Sequence, residues 1–184
     1  MPAQECFPLQ LKESLGQEGI HFDKVKIIAH TGWTTDELLA GISQAQLDPV
    51  YDLVSLLIGV NNQYRGRSLE NYRKEFLQLL SRSIGFAGGE AGHVVVLSIP
   101  DWGVTPYAVG YNSNQIASEI DAFNAINRDE SHKAGTAYLD ITSISRLAAS
   151  SHELLAPDGL HASGLMYGLW VQALSVLVTN LLNK

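Results

Sequence analysis

The sequence predicts an α/β fold in three layers, a parallel sheet with helices on both faces. Three observations predict it. Apolar runs of strand length alternate with amphipathic runs of helix length. The strand-like runs are continuously apolar rather than alternating, as strands buried on both faces are. The segments between them are long enough for the crossovers that parallel strands require.

Taken in order, residues 8–15 read as a helix, with Leu9, Leu11 and Leu15 apolar and Gly16 and Gly19 ending it. Residues 24–30 (KVKIIAH) are β-branched and read as a strand. Thr34 and Glu37 have capping-box spacing, which opens a helix through Ala45. Residues 52–58 (DLVSLLI) have the length of a buried strand. Ser68 starts a long helix to about Ile84, with Tyr72, Phe76, Leu79 and Leu80 on one face. Residues 86–89 form a loop. Residues 93–99 (HVVVLSI) are the clearest strand, stopped by Pro100. A helix from Asn112 to about Arg128 places Ile116, Ile120, Phe123 and Ile126 at helical spacing. Residues 137–141 read as a short strand, residues 150–157 as a loop, and a last helix follows His161.

Composition sets the outer limits. At 184 residues the chain fits one domain, and 46% hydrophobic with 17% charged residues supports a packed core rather than disorder. There are no repeats or linkers. A net charge of −7 argues against nucleic acid or an anionic membrane as the main partner, because both would be repelled. The single cysteine, Cys6, permits no internal disulfide. No uninterrupted apolar run reaches membrane-spanning length. The nearest, residues 165–182, is broken by Gly168, Gln172, Ser175, Thr179 and Asn180 and reads as a buried helix. The N-terminus carries no signal-peptide pattern, so a cytoplasmic location is the expectation for the chain as written.

Open parallel sheets place their chemistry beyond the C-terminal strand ends. After residue 30 comes Gly32-Trp33, which reads either as a tight turn or as a backbone N–H aimed into a site. After residue 58 comes Gly59-Val60-Asn61-Asn62. It is either a turn or an amide donor on an open approach. After residue 99 comes Asp101-Trp102-Gly103, a surface loop or an aromatic pocket wall. Asp158-Gly159-Leu160-His161 carries a carboxylate three residues before an imidazole, able to fix its tautomer. Asp129 and His132 share that spacing at the polar end of a helix, so spacing alone does not single out the later pair. His30, at a strand end, is a further pocket candidate. No H-E-x-x-H or Cys cluster predicts a metal, and no P-loop or G-x-G-x-x-G predicts a nucleotide cofactor.

Together and in this order, these blocks resemble the SGNH (GDSL-type) hydrolase superfamily. Gly32 in HTGWTTDELL matches the family's lone glycine block. Gly59 and Asn61 in IGVNNQYRG match its Gly-x-Asn-Asp. Asp158 and His161 in PDGLHASGLMYG match its Asp-x-x-His. The resemblance implies a flavodoxin-like sheet, no cofactor and a small-molecule ester substrate. It also implies His161 as general base and acid, Asp158 as its orienter, and Gly32 and Asn61 as oxyanion donors. Trp33, Asn62 and Trp102 become candidate pocket residues.

Two departures accompany it. Asn62 stands where the family pattern has Asp. The Gly-Asp-Ser block, with the first strand and the nucleophile, is absent. Ser14 falls inside a predicted helix, and Gly41-Ile42-Ser43-Gln44-Ala45 imitates a nucleophile elbow only late in another. The first strand of this fold lies between residues 24–30 and 52–58, so its loss would leave unpaired strand edges. The expectation is therefore a single domain over residues 1–184 that is truncated at its N-terminus, Met1 being internal or a misplaced start. As written it would be inactive on esters. The alternative is a non-catalytic binding protein that keeps the pocket.

Overall fold

Leu11 and Leu15 bury one face of the first helix, α1 (Phe7–Gln17). It runs through Gly16 and ends before Gly19, whose φ is positive. The computed structural model describes residues 3–48 and 50–182; Met1, and with it the reading of this residue as internal or misplaced, lies outside them. Then come α2 (Thr35–Gln44), β1 (Val54–Leu56), α3 (Val60–Tyr64), α4 (Leu69–Phe86), β2 (Val94–Leu97), α5 (Ser113–Ala134), β3 (Ala137–Leu139), α6 (Thr142–Ser145) and α7 (Gly164–Leu182). Short 3₁₀ turns fill several of the connections.

The α/β class holds. β1, β2 and β3 form one parallel sheet in that order, with Val54 opposite Val94 and Val95 opposite Ala137. β2 is the middle strand and all four of its residues are buried, which explains its uninterrupted valines. α4 forms as its sequence dictates. The Ser68 hydroxyl caps the Asn71 N–H at 3.2 Å, and Tyr72, Phe76, Leu79 and Leu80 are almost wholly buried.

Residues 24–30 do not form the expected strand. The segment is largely exposed, Ile27 by 48%, and no ladder reaches it among the described residues. Composition gives strand preference, but a strand exists only where a neighbour completes its hydrogen bonds. Helix α5 also runs past the expected end, to Ala134, so Asp129 and His132 lie inside it and are exposed.

The reading of the C-terminal segment needs a correction. α7 is long and apolar enough to cross a membrane by length and composition, with a mean hydropathy of 1.6. Gln172, Ser175, Thr179 and Asn180 interrupt the apolar run, yet its mean stays high enough. One face of the helix is packed, and about a third of the apolar span is buried. Met166, Trp170, Leu174 and Val178 are buried, and Phe7 of α1 meets the Tyr167 and Trp170 rings.

The chain divides into two compact units. One comprises Met1–Ile27, Pro100–Ile116 and Ile141–Lys184 and holds the α1–α7 pair and α6. The other comprises Ile28–Ile99 and Ala117–Asp140 and holds the sheet with α2, α3, α4 and most of α5.

Candidate active site

In the first unit, Asp158 and His161 lie on a turn closed by its own backbone. Leu155 and Ala162 form an antiparallel bridge, and the Ala156 N–H donates to the His161 carbonyl at 2.7 Å. Gly159, at φ 68°, makes the reversal. The Ser163 hydroxyl then accepts from the Met166 N–H at 3.3 Å and starts α7. The loop before it is tied in as well, because the Tyr107 N–H donates to the Gly159 carbonyl at 3.3 Å.

This turn sets the carboxylate against the imidazole. Asp158 Oδ2 lies 2.7 Å from His161 Nδ1, while Oδ1 accepts the backbone N–H groups of Leu160 and His161 at 3.0 Å each. The His161 backbone N–H, with the imidazole and the Leu160 N–H behind it, holds the Asp158 carboxyl down to about 2. A charged acceptor at Nδ1 keeps the proton there and leaves Nε2 as the basic nitrogen. No hydrogen bond to Nε2 forms among the described residues. About half of each side chain is exposed to solvent. By contrast, Asp129 pairs with Arg128 at 3.7 Å and His132 sits edge-on to Tyr138.

In the second unit, the loop before α2 and the start of α3 are brought together. Gly32 has φ 90°. Its carbonyl accepts from Arg65 Nη2 at 2.6 Å, and the Trp33 carbonyl accepts from Asn61 Nδ2 at 3.1 Å. An amide nitrogen carries two protons, so Asn61 keeps a second donor. Gly59 admits no side chain. At φ 124°, a Cβ there would lie 2.6 Å from the Tyr72 hydroxyl and from Ile99 Cδ1. The capping box forms, with Glu37 Oε2 accepting the Thr34 N–H at 2.8 Å. That N–H, the Thr34 hydroxyl and Arg65 hold the Glu37 carboxyl below its usual range.

The expected pocket residues fare differently. Trp33 is half-buried, stacked on His30 with ring centroids 5.7 Å apart. It lies over Gly41, where any Cβ would strike its ring. Trp102 is buried, with Tyr107 and Tyr111 edge-on to it. Asn62 does not line a pocket, because it is fully buried with its amide bonded to Thr35. The two doubtful serines are committed elsewhere. Ser14 shares a hydrogen bond with Ser175 at 2.9 Å, and Ser43 bonds back to the Leu39 carbonyl within α2.

Sequence reasoning missed Arg65, which braces Gly32, and the Asp101–Arg146 ion pair beside Trp102. In that pair Arg146 Nε lies 2.9 Å from a wholly buried carboxylate that also accepts the Gly103 N–H. IGVNNQYRG shows the arginine, but nothing in the string says which carbonyl it reaches. Among the described residues, no group of three or more His, Cys, Asp or Glu side chains is placed to hold a metal ion.

Comparison with known proteins places these features in context. The sequence model of the GDSL-like lipase/acylhydrolase family matches residues 3–169. No curated protein matches the chain. Among solved structures, TesA superposes with a TM-score of 0.73 at 17% identity, over 98% of this chain and 91% of TesA. A lipase/acylhydrolase from Enterococcus faecalis gives 0.72 at 18% identity, over 92% and 83%. The psychrotrophic esterase EstA from Pseudoalteromonas sp., in a structure inhibited by monoethylphosphonate, gives 0.68 at 17% identity, over 100% and 91%. At these identities the likeness is one of fold.

Proposed function

This chain belongs to the GDSL-like lipase/acylhydrolase family, and on that premise we propose that it is the body of a carboxylic-ester hydrolase whose nucleophilic serine lies outside these 184 residues. The single observation that carries the reading is the 2.7 Å contact between Asp158 and His161 Nδ1, with Nε2 left to act.

In the proposed reaction His161 Nε2 takes the serine proton as the oxygen attacks the ester carbonyl. Asp158 stabilises the imidazolium that forms. The Gly32 N–H and the second Asn61 Nδ2 proton stabilise the oxyanion. The imidazolium then protonates the leaving alcohol. Water, deprotonated by His161, cleaves the acyl-enzyme to release the acid and regenerate the serine.

The chain as it stands is expected to be inactive. Ser14 and Ser43 support this, because each is held within a helix by a partner. The same observation favours a second reading, a protein that binds esters without cleaving them. Reading the coding DNA upstream of Met1 separates the two. An in-frame strand ending in Gly-Asp-Ser within about 25 codons supports the hydrolase. Fluorophosphonate labelling of that longer protein, lost on Ser→Ala and on His161→Ala, tests it directly. Ester turnover by the 184-residue chain that disappears in His161→Ala would refute the assignment of the nucleophile.

A further inference from the structure

Beneath the Gly32 loop, Asn62 and Thr35 are both fully buried and bonded twice. The Thr35 N–H donates to Asn62 Oδ1 at 3.1 Å, and Asn62 Nδ2 donates to the Thr35 hydroxyl oxygen at 2.7 Å. That hydroxyl in turn donates to Glu75 of α4, whose other oxygen accepts from Asn71 Nδ2 at 2.8 Å. The chain of donors has one direction: Asn62 to Thr35 to Glu75. A hydroxyl has a single proton to give. Because Glu75 takes it, the residue at position 62 must be a donor at the atom facing that oxygen. Asparagine is a donor there and aspartate is not.

We propose that Asn62, Thr35 and Glu75 form a positioning relay that fixes the Gly32 loop, and that Asn62 replaces the aspartate of the family pattern because Glu75 already supplies the carboxylate. Thr35 is the first residue of α2, three residues after Gly32, so anchoring its N–H and hydroxyl to α3 and α4 sets where that loop leaves the helix. An aspartate in place of Asn62 would set two carboxylates on one hydroxyl. One would lose its hydroxyl donor: either the aspartate would keep only the Thr35 N–H, or Glu75 only Asn71, with an oxygen of a buried carboxylate left unsatisfied. Arg65 on Gly32 and Asn61 on Trp33 brace the loop from outside; the relay is its buried support. The inference rests on the oxyanion reading of Gly32 for its meaning, but not for its test.

The test is a mutant cycle on the chain as it stands, read by denaturant unfolding and by the ¹H–¹⁵N signal of Gly32. Asn62→Asp should raise the unfolding equilibrium constant roughly tenfold or more, the expected scale for an unsatisfied buried group, and move the Gly32 signal. Adding Glu75→Gln should recover most of the stability and return the signal toward its original position, because Thr35 is then free to donate to the introduced aspartate. A double variant no better than Asn62→Asp, or an unmoved Gly32 signal, overturns the relay. If Asn62→Asp does not fold, Thr35→Val, Glu75→Gln and their double variant decide the matter: non-additive effects support the relay and additive ones overturn it. Absence of ester turnover in a serine-bearing form would defeat the hydrolase reading and leave this result untouched.

Discussion

Asp158 keeps its charge to low pH chiefly because backbone N–H groups point at it. The largest contribution is the His161 N–H, which a side-chain change cannot remove. Its carboxyl is expected to titrate near 2, against an ordinary value of 3.8. With the folded value the lower of the two, the stabilisation is fully present above about pH 4 and lost as pH falls through about 2. Carboxyl ¹³C NMR checks this. In His161→Ala the midpoint should rise only part of the way, since the backbone donor stays; a full return to 3.8 would mean the imidazole alone sets it. At Gly59 the prediction concerns space. Gly59→Ala meets both an unfavourable φ and the Tyr72 hydroxyl, and should destabilise by about 2 kcal/mol or more in denaturant unfolding. The same scale shows what was legible in the site. The Asp158–His161 contact is local, three residues apart, and the order of the blocks around it set the pair apart from Asp129 and His132. The Arg65, Glu75 and Arg146 contacts span tens of residues, and no local pattern encodes them.

Among the elements, α1, α2, α4, α5, α7 and the middle strand were legible because each carries its own signal, whereas the short α3 and α6 were not. α4 shows an apolar face at helical spacing with a serine cap, and β2 shows a run of valines before a proline. Residues 24–30 carry a strand signal too and form no strand, since pairing is a property of two segments. This difference predicts an order of backbone protection. β2 is paired on both sides and buried, whereas β1 has a partner on one side only among the described residues. In hydrogen–deuterium exchange the amides of Val94–Leu97 should therefore be the slowest of the sheet, with those of Val54–Leu56 well ahead of them. Equal protection in the two strands would show that the outer edge of β1 is covered. Within α4, Phe76→Ala removes a wholly buried ring and should cost about 3–5 kcal/mol, enough to test whether this helix anchors its unit.

For the whole molecule the sheet is the informative object. Three strands among the described residues are few for an α/β protein, and this sheet has a mostly apolar outer strand, Val54-Ser55-Leu56, without the lysine or proline that blunts natural edges. One added parallel strand would pair the side of β1 that no strand meets among the described residues. Each hydrogen bond gained contributes about 0.5–1.5 kcal/mol net, so three or four amount to a few kcal/mol, on the order of 5–10 °C in Tm for a protein of this size. The reading of the chain as the body of a hydrolase then predicts two separable effects from one addition. Joining a strand that ends in Gly-Asp-Ser ahead of residue 1 should raise Tm and confer turnover of a short-chain chromogenic ester. Changing its serine to alanine should keep the gain in Tm and abolish turnover, because the strand completes the sheet while only the hydroxyl reacts. Turnover without a rise in Tm would mean the serine reaches its place without pairing β1. A rise in Tm without turnover would leave the sheet argument standing and refute the roles proposed for Asp158 and His161.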